Sequence, residues 1–525
     1  MANVWVMELL DAPADARPVV HPPSGPRRHI GAHEQQTVFV FRNYGARVDK
    51  QKPTAEQRQA AFTRWLDYVR FAGGDLADLR WLGVDWMISG PGSQVAYPSK
   101  LFAEYRKGDE NRVQELLPHV AARGMVSYPC LATFNLNDDE KPKFGLTDDD
   151  ILVKKDGEPA RIFGQTKLDP TSDKVKALFV RIVDELAEQT AANACVPGIG
   201  ISIDGFFTLT DETGYGANTL RRYERDTGGK TPSAAAEAYD WLHAAPERLK
   251  HWQAWRCAEM RELLTRLRDA VRKRRPNLVL KVALMNKRTY EFLRMTDAEA
   301  LDLLLGQGID PALYRDDDGI FFAARSCYEH KPKNKDGTAG FNFTHGVADV
   351  PTRHGTGYHQ WTGYWEQAGV FNCLSRYQIG WLASANLVPL GRRILETATY
   401  HLRVGNVREL QYQTWERGLA GWEHHLRRFA AAFRALPVAE PRPFKGKVAV
   451  LSGPPADETL WVSWHGDRLA VINDHAAPRV VRIEAAGGMM ELGRSRKLRP
   501  SDGWIELELA PFDLLVLAAE KSAPK

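Results

Sequence analysis

The sequence predicts an α/β fold, a parallel (β/α)8 barrel of the TIM type, followed by a small all-β sandwich domain. Three observations support this. From about residue 36 to residue 400, short apolar runs alternate with amphipathic helical segments, the pattern of parallel strands joined by right-handed crossovers. The length of 525 residues suits a large barrel with one accessory domain. After Pro437 the pattern changes to short alternating strands separated by Gly, Pro and Asp.

Eight apolar runs are the predicted barrel strands, and the eighth is weak. Segments with helical spacing of apolar residues separate them, and the longest covers residues 234–275. A doubly wound dinucleotide-binding sheet is disfavoured, because no GxGxxG follows the first run. The eight runs are Thr37–Tyr44, Trp81–Ser89, Met125–Phe134, Pro197–Phe207, Leu278–Asn286, Gly319–Tyr328, Gly357–Trp365 and Leu387–Leu390.

The predicted domain boundaries follow from where this alternation stops. Residues 1–436 are expected to form the barrel, with long loops and extra C-terminal helices. Residues 437–443 are rich in proline and are predicted to be a linker. Residues 444–525 contain short alternating runs typical of a β-sandwich. We expect this second domain to be a lid or a stabilising module that packs on the barrel.

The composition argues against several classes of protein. Lys plus Arg exceed Asp plus Glu by only 70 − 66 = 4, and no run of five like charges occurs, so no nucleic-acid partner is expected. No uninterrupted apolar segment reaches the length of about 18 residues that a membrane span needs, so no membrane partner is expected. The five cysteines are scattered without a CxxC pair, which disfavours a thiolate zinc site or a redox pair. No cofactor is expected.

The first residues lack the basic and apolar segments of a secretory signal peptide. The chain as given is therefore expected to be cytoplasmic, or secreted or periplasmic if a leader was removed. The oligomeric state is not predicted by the sequence.

Three carboxylates follow predicted strands, at the end of a barrel where active sites form. Asp204 follows the apolar run GIGISI, Glu329 ends the sixth strand and Glu366 ends the seventh. Glycoside hydrolysis uses two carboxyl groups, one protonated to assist the leaving oxygen and one ionised to act as nucleophile or to activate water. The alternatives are structural: a partner for an arginine or for backbone amides at Asp204, and solvated loop carboxylates at the two glutamates.

Other acidic residues are weaker candidates. Asp211 and Glu212 lie in the same loop as Asp204 and could reach the mouth of the barrel. The triplet at residues 316–318 precedes the sixth strand and is expected to be a solvated turn at the opposite face. The triplet at residues 148–150 is expected to be a helix N-cap cluster.

Aromatic and hydrogen-bonding side chains cluster at the same predicted strand ends. Sugar faces stack on such rings, and amide, imidazole and guanidinium groups bind hydroxyls. Two alternatives remain: many of the rings plug the barrel ends, or His345, His354 and His359 hold a metal ion. The residues predicted to bind substrate are Trp86, Tyr97, Tyr128, Asn135, Phe206, Asn286, Arg325, His359, Trp361 and Trp365.

Three stretches of the chain resemble (β/α)8 glycoside hydrolases. Residues 62–102, which end in a YPS loop, resemble the early segment of bacterial barrel hydrolases. Residues 168–207, where a helix opened by LDPTS leads to GIGISIDGFF, resemble the family 10-like glycosyl hydrolases and the alpha-glycosidase superfamily. Residues 426–437 and the β-domain after them resemble the C-terminal sandwich of amylase-like barrels.

The resemblance implies roles for the three carboxylates. Barrels with an essential Asp on strand four use it as the nucleophile, which corresponds to Asp204, and take the acid/base from strand six, which points to Glu329. Those families usually carry Asp at that second position, whereas this chain has Glu one residue after a Tyr. A second plan places a Glu nucleophile on strand seven. Glu366 fits it, but the Asn-Glu pair that the plan needs on strand four is replaced by Ile203 and Asp204.

We therefore expect an enzyme, a glycosidase that cleaves O-glycosidic bonds of an oligo- or polysaccharide with two carboxyl groups and without a cofactor. The expected partner is the carbohydrate substrate. The alternatives are a non-catalytic carbohydrate-binding barrel protein, and a polysaccharide lyase or metal-dependent hydrolase on the same fold. The sugar, the linkage and the anomeric outcome are not predicted.

Overall fold

A computed structural model gives the structure of the chain. It describes residues 20–24, 27–33, 54–79, 83–86, 94–102, 111–162, 164–202, 209–284, 297–314, 316–326, 328–331, 340–343, 357–360, 392, 395–413 and 423–520.

The part of the described chain before residue 437 alternates strands with helices. The strands are β1 (His29–His33), β2 (Leu76–Asp78), β3 (Val84–Trp86), β4 (Gln94–Val95), β5 (Cys130–Phe134), β6 (Arg161–Ile162), β7 (Gln165–Thr166), β8 (Gly198–Ser202), β9 (Val279–Leu284), β10 (Ile320–Ser326), β11 (Tyr328–Lys331), β12 (Gly340–Phe343), β13 (Gly357–Gln360) and β14 (Glu409–Gln413). The helices are α1 (Ala55–Phe71), α2 (Arg112–Ala122), α3 (Asp173–Thr190), α4 (Ala217–Thr227), α5 (Ala235–His243), α6 (Pro246–Arg274), α7 (Asp297–Gly306), α8 (Glu396–Gly405) and α9 (Glu423–Ala435).

Two sheets built mainly from parallel strands form the centre of this part. One has the order β13-β10-β9-β8-β5-β3-β4, in which only β4 runs antiparallel to its neighbour. The other has the order β14-β1-β2 and is parallel throughout. A parallel bridge from Leu76 in β2 to Val126, just before β5, links the two sheets, and β13 lies against β14. The predicted α/β class with parallel strands is confirmed.

Helices cover one face of these strands because their apolar residues recur every three or four positions. In α3, for example, Val175, Leu178, Phe179 and Ile182 are buried. Gly124 lies just after the end of α2 with a φ of +62°, a conformation that glycine adopts without strain.

Among the described residues, the parallel sheets contain two strands, β1 and β14, that the sequence did not predict. The predicted first strand, Thr37–Tyr44, and the predicted eighth strand, Leu387–Leu390, lie outside the described residues. The predicted helix over residues 234–275 is two helices, α5 and α6, and α6 begins at Pro246. A proline disfavours continuation of the helix that precedes it, and it is well tolerated in the first turn of a new helix.

The C-terminal part of the chain is all-β, as predicted. Its strands pair into a six-stranded sheet, β15-β17-β18-β23-β20-β21, and a three-stranded sheet, β16-β19-β22. Pro441–Pro443, which the sequence assigns to a linker, form β15 and pair with β17. The strands are β15 (Pro441–Pro443), β16 (Val448–Ser452), β17 (Leu460–His465), β18 (Arg468–Asn473), β19 (Arg479–Glu484), β20 (Met489–Glu491), β21 (Arg496–Leu498), β22 (Trp504–Leu509) and β23 (Asp513–Ala519).

The six-stranded sheet is buried on both faces. One face forms a core with the three-stranded sheet through residues such as Val471 and Leu515. The other face, which includes Ile472 and Leu514, belongs to the same apolar core as Phe433 of α9 and the helix-covered face of the parallel strands. The all-β part therefore packs on the rest of the chain through a shared apolar core.

Candidate interior site and the loops around it

The strands of the parallel sheets alternate between a helix-covered face and an opposite face, which we call the interior face. On β9, Leu280 and Val282 join the core shared with the helices, whereas Lys281 lies between them on the interior face. Val279 is on the interior face too, where it packs with Leu76 and Tyr128. A charged residue is thus built into the interior of the parallel strands.

Lys281 is joined to carboxylates on strands that are not its neighbours. Its Nζ lies 3.6 Å from Oδ2 of Asp78 on β2 and donates a hydrogen bond to Glu409 on β14. All three side chains are almost fully buried. Because β2 and β14 belong to the other sheet, these contacts cross the interior and show that the interior faces of the two sheets oppose each other.

The same group includes Tyr128, whose ring centroid lies 4.6 Å from Nζ of Lys281. Burial and the nearby Glu409 carboxylate hold the pKa of the Tyr128 hydroxyl well above its usual value. Burial alone would lower the pKa of Lys281, but the charges of Asp78 and Glu409 outweigh it and raise that pKa. Lys281 therefore stays protonated and cannot act as an amine nucleophile.

Asn135 follows β5 directly and has a fully buried side chain. Among the described residues, neither its amide nitrogen nor its amide oxygen has a hydrogen-bond partner. Phe134 before it packs against Phe179 of α3 on the helix-covered side. A buried amide without partners is unfavourable unless a ligand or solvent satisfies it, so Asn135 is the described residue best suited to bind a polar ligand at a strand end.

The loop after β5 is held by ion pairs and hydrogen bonds. Asp138 binds Arg161 at 2.6 Å and Thr166 at 2.8 Å, and these two contacts lower the pKa of its carboxyl group. Asp169, which is fully buried, accepts hydrogen bonds from Thr219 and Arg222 at the start of α4. These contacts and the bridge from Leu136 to Thr166 make the loop a wall beside Asn135.

This wall also contacts the segment that follows β8. Lys155 donates a backbone hydrogen bond to Glu212, and Gly214 donates one to Val153. Glu212 is exposed and its carboxylate lies 3.3 Å from Nζ of Lys155. Loops from the neighbouring strands β5 and β8 are therefore joined into one rim.

Two of the predicted substrate-binding tyrosines have other surroundings. Tyr97 is buried in the core shared with the helices, and its hydroxyl lies 3.5 Å from Glu185 of α3. The Glu185 carboxylate also accepts from the hydroxyl of Ser99 at 2.5 Å and from the backbone of Lys100 at 2.6 Å. Tyr97 therefore anchors the YPS loop on the helix-covered side, which corrects its assignment. Tyr128 does face the interior, but Lys281 covers its ring.

Glu329 does not end the strand that precedes it. β10 stops at Ser326, and Glu329 belongs to β11, which pairs antiparallel with β12. Trp86 is in β3 in register with Phe134, and Arg325 is in β10 in register with His359 of β13. The remaining predicted site residues lie outside the described residues: Asp204, Glu366, Phe206, Asn286, Trp361 and Trp365, as do His345 and His354.

The other acidic candidates are mostly structural. Asp317 was expected in a solvated turn, but its carboxylate is buried and binds Arg261 at 2.7 Å and also Arg268, because the turn packs against α6. Asp150 caps a short helical turn through a capping box with Thr147, as predicted. Asp211 is exposed.

Sequence reasoning did not select Asp78, Lys281, Glu409 or Glu185. A signal for Lys281 exists in the sequence, since a lone lysine interrupts the apolar run LVLKVALMN. Its partners carry no such signal, because only the arrangement of the strands brings them together.

Within the described ranges no helix is long and apolar enough to cross a membrane. No group of three or more His, Cys, Asp or Glu side chains in those ranges is placed to hold a metal ion.

Comparison with known proteins finds a family match in the middle of the chain. Residues 93–303 match the family described as Glycosyl hydrolase-like 10. No protein with a curated description matches the chain. The predicted resemblance to family 10-like glycosyl hydrolases is confirmed by the family match.

Several solved structures are distantly similar. The glycoside hydrolase domain of PgaB (BpsB) from Bordetella bronchiseptica has 14% identity and a TM-score of 0.47, with 78% of this chain and 100% of that chain covered. An Anoxybacillus alpha-amylase has 9% identity and a TM-score of 0.44, covering 95% and 98%. The catalytic domain of a Paenibacillus polymyxa beta-amylase has 10% identity and a TM-score of 0.45, covering 73% and 97%. The segment of this chain that spans β4 to α7 is thus similar in sequence to the family Glycosyl hydrolase-like 10.

Proposed function

We propose that this protein is a glycoside hydrolase whose active site lies at the carboxyl ends of the strands of a closed (β/α)8 barrel. The observation that carries the proposal is the contact of Lys281 with Asp78 and Glu409 across the interior. Together with the bridge from Leu76 to Val126 and the approach of β13 to β14, it supports closure of the two sheets around one interior. The family match at residues 93–303 supports glycosidic chemistry.

Asp204 is the proposed nucleophile or stabilising carboxylate. Gly200 of β8 is in register with Lys281, and a Cβ added at Gly200 would lie 3.2 Å from Sγ of Cys130, which supports an interior position for residue 200. Side chains alternate along a strand, so residues 202 and 204 are expected on the same face as residue 200. Asp204 would then stand at the carboxyl end of the strand, where barrel enzymes carry catalytic groups.

Glu329 and Glu366 are the proposed partners, one of which acts as the acid/base. Glu329 lies in the segment just past β10, and Glu366 follows β13 in the sequence. In the sheet, β10 and β13 lie next to each other on one side of β9. The acid/base would protonate the leaving oxygen, and its partner would attack the anomeric carbon or activate water. Asn135 would bind a sugar hydroxyl through its unpaired amide.

The domain assignment is part of the proposal. Residues 1–436 are proposed to form the barrel with its added helices, and the segment from β15 onwards is proposed to form the sandwich. The shared apolar core of the six-stranded sheet and α9 supports a stabilising role for the second domain rather than that of a mobile lid.

Turnover of aryl glycosides tests the proposal. Asp204→Asn is expected to lower kcat at least about 10³-fold, and the acid/base variant, Glu329→Gln or Glu366→Gln, by about 10²–10⁴-fold. Asp467→Asn is the control, because this exposed carboxylate lies in the C-terminal sandwich and should leave kcat unchanged. Sugar binding without turnover in the wild-type protein would contradict the proposal and favour a carbohydrate-binding protein.

A further inference from the structure

Arg256 of α6 is one of three arginines that rank among the largest fully buried side chains of the described residues; the others are Arg28 and Arg479. Arg28 and Arg479 each donate to at least four acceptors on neighbouring segments. Among the described residues, Arg256 donates to one acceptor, the backbone oxygen of Thr210, at 2.9 Å. Its guanidinium is therefore poorly coordinated for a buried cation.

A second buried donor lies one helical turn away. Trp252 is fully buried in α6, and the Arg256 Cζ lies 5.8 Å from the centroid of its ring. Among the described residues, neither Nε1 of Trp252 nor Nε of Arg256 has an acceptor. Both groups can only donate hydrogen bonds. A group that satisfies these two donors must therefore be a hydrogen-bond acceptor.

The surroundings of Arg256 also lack a bound counter-charge. No carboxylate of the described residues forms an ion pair with it, although Asp211 and Asp169 are close enough to act on its charge. Burial lowers the pKa of Arg256, which is the cost of holding a cation away from water. A negative charge beside the guanidinium would offset this cost.

We propose that a small monovalent anion of the size of chloride binds between Arg256 and Trp252. It would accept hydrogen bonds from Nε of Arg256 and from the indole Nε1 of Trp252, and it would neutralise the buried charge. A water molecule at the same place would leave the charge of Arg256 unneutralised, and its own two hydrogens would need acceptors.

Such an anion would fix the segment from residue 209 to residue 215 against α6. Arg256 holds Thr210, and Tyr215 stacks on Trp252 with ring centroids 6.0 Å apart. The inference does not depend on the proposed function, since it concerns only the coordination of Arg256.

Thermal unfolding of the whole protein tests the site. The unfolding midpoint is measured in a series of buffers of constant ionic strength in which sodium chloride progressively replaces sodium gluconate. Wild type is expected to show a saturable rise of about 1–3 °C. Trp252→Phe, which keeps a ring but removes the donor, should weaken the apparent chloride affinity about tenfold or more. Arg256→Met should abolish the response.

Arg248→Met is the matched control. Arg248 also lies on α6, but its Cζ lies 4.3 Å from the centroid of the Trp241 ring, outside the site. The chloride response of this variant should equal that of wild type. Crystals soaked in bromide are expected to show an anomalous peak within hydrogen-bond distance of both donors. If Arg256→Met does not fold, Trp252→Phe still gives the test. Equal midpoints in chloride and gluconate, an unchanged response in Trp252→Phe, or a water at the site without a bromide peak would overturn the proposal.

Discussion

Nη2 of Arg28 lies 3.3 Å from Nδ1 of His465, in the buried seam between the segment that enters β1 and the C-terminal sandwich. Arginine can only donate, so Nδ1 accepts, and the proton of the ring sits on Nε2, which lies 3.1 Å from the Ser463 hydroxyl. The same guanidinium donates to the backbone oxygens of Asn406 and Pro437. One side chain thus joins the turn between α8 and β14, the segment after α9 and the sandwich.

This contact predicts a pH dependence of stability. Burial, with the adjacent Arg28 charge, lowers the pKa of His465 from 6.5 to about 3. In the unfolded chain the His465 ring takes up a proton near pH 6.5, whereas in the folded chain the ring stays neutral until about pH 3. Stability from the neutral ring is therefore full above pH 6.5 and decreases as pH falls from 6.5 towards 3.

Urea unfolding between pH 8 and pH 4 measures this effect. At pH 5 the His465 contribution should have decreased by about 2 kcal/mol relative to pH 8. His465→Gln should lose correspondingly less stability over the same interval. A variant whose stability falls with pH as steeply as that of wild type would show that another group controls the effect.

Replacing Lys281 is predicted to destabilise the fold. Lys281→Met leaves the buried carboxylates of Asp78 and Glu409 without their cation, which should cost about 3–5 kcal/mol in the free energy of unfolding. Lys155→Met is the control, because Lys155 is exposed beside Glu212 and should cost no more than about 1 kcal/mol. Equal urea midpoints for the two variants would contradict an interior ion cluster.

Asn135 is predicted to serve ligand binding rather than stability. Because its amide has no described partner, Asn135→Leu should change the free energy of unfolding by less than about 1 kcal/mol and should raise KM for the glycoside. Asn473 is the matched control, a buried asparagine whose Nδ2 donates to Ala477 at 2.9 Å and to Ala510 at 2.8 Å. Asn473→Leu should cost about 1–3 kcal/mol and leave KM unchanged. If Asn135→Leu lowered the free energy of unfolding and left KM unchanged, Asn135 would not belong to the site.

Removing residues 444–525 is predicted to give insoluble protein. The deletion exposes Phe433 of α9 and the core it shares with Leu514, and it leaves Arg28 without His465. The measurement is the soluble fraction after expression, with full-length protein as reference. A soluble and active truncated protein would show that the sandwich is dispensable for the barrel.

The sequence predicted the class of fold well because strand and helix periodicities are local. The runs that became β5, β8, β9 and β10 were found because each lies in a short, mainly apolar stretch between helical segments. β1 was missed because HIGAH is short and half polar, and only pairing with β2 and β14 makes it a strand. The boundary between α5 and α6 is marked by Pro246, a signal present in the sequence but not used.

The site was harder to predict, because the face of the sheet on which a residue lies is not a local property. Tyr97 follows a strand-like run, yet the antiparallel return of β4 brings it to the helices and to Glu185. Asp317 sits in an acidic triplet that resembles a solvated turn, but Arg261 on α6 binds it. In both cases the partner is distant in sequence, and only the folded chain shows it.

A crystal structure that places the Asp204, Glu329 and Glu366 carboxyl groups tests the central claim most directly. The account predicts that Asp204 opens into the mouth of the barrel with one of the two glutamates about 5–9.5 Å away, near 5–5.5 Å for a retaining enzyme and 6.5–9.5 Å for an inverting one. An Asp204 held in an internal ion pair, with neither glutamate carboxyl within that range, would contradict it.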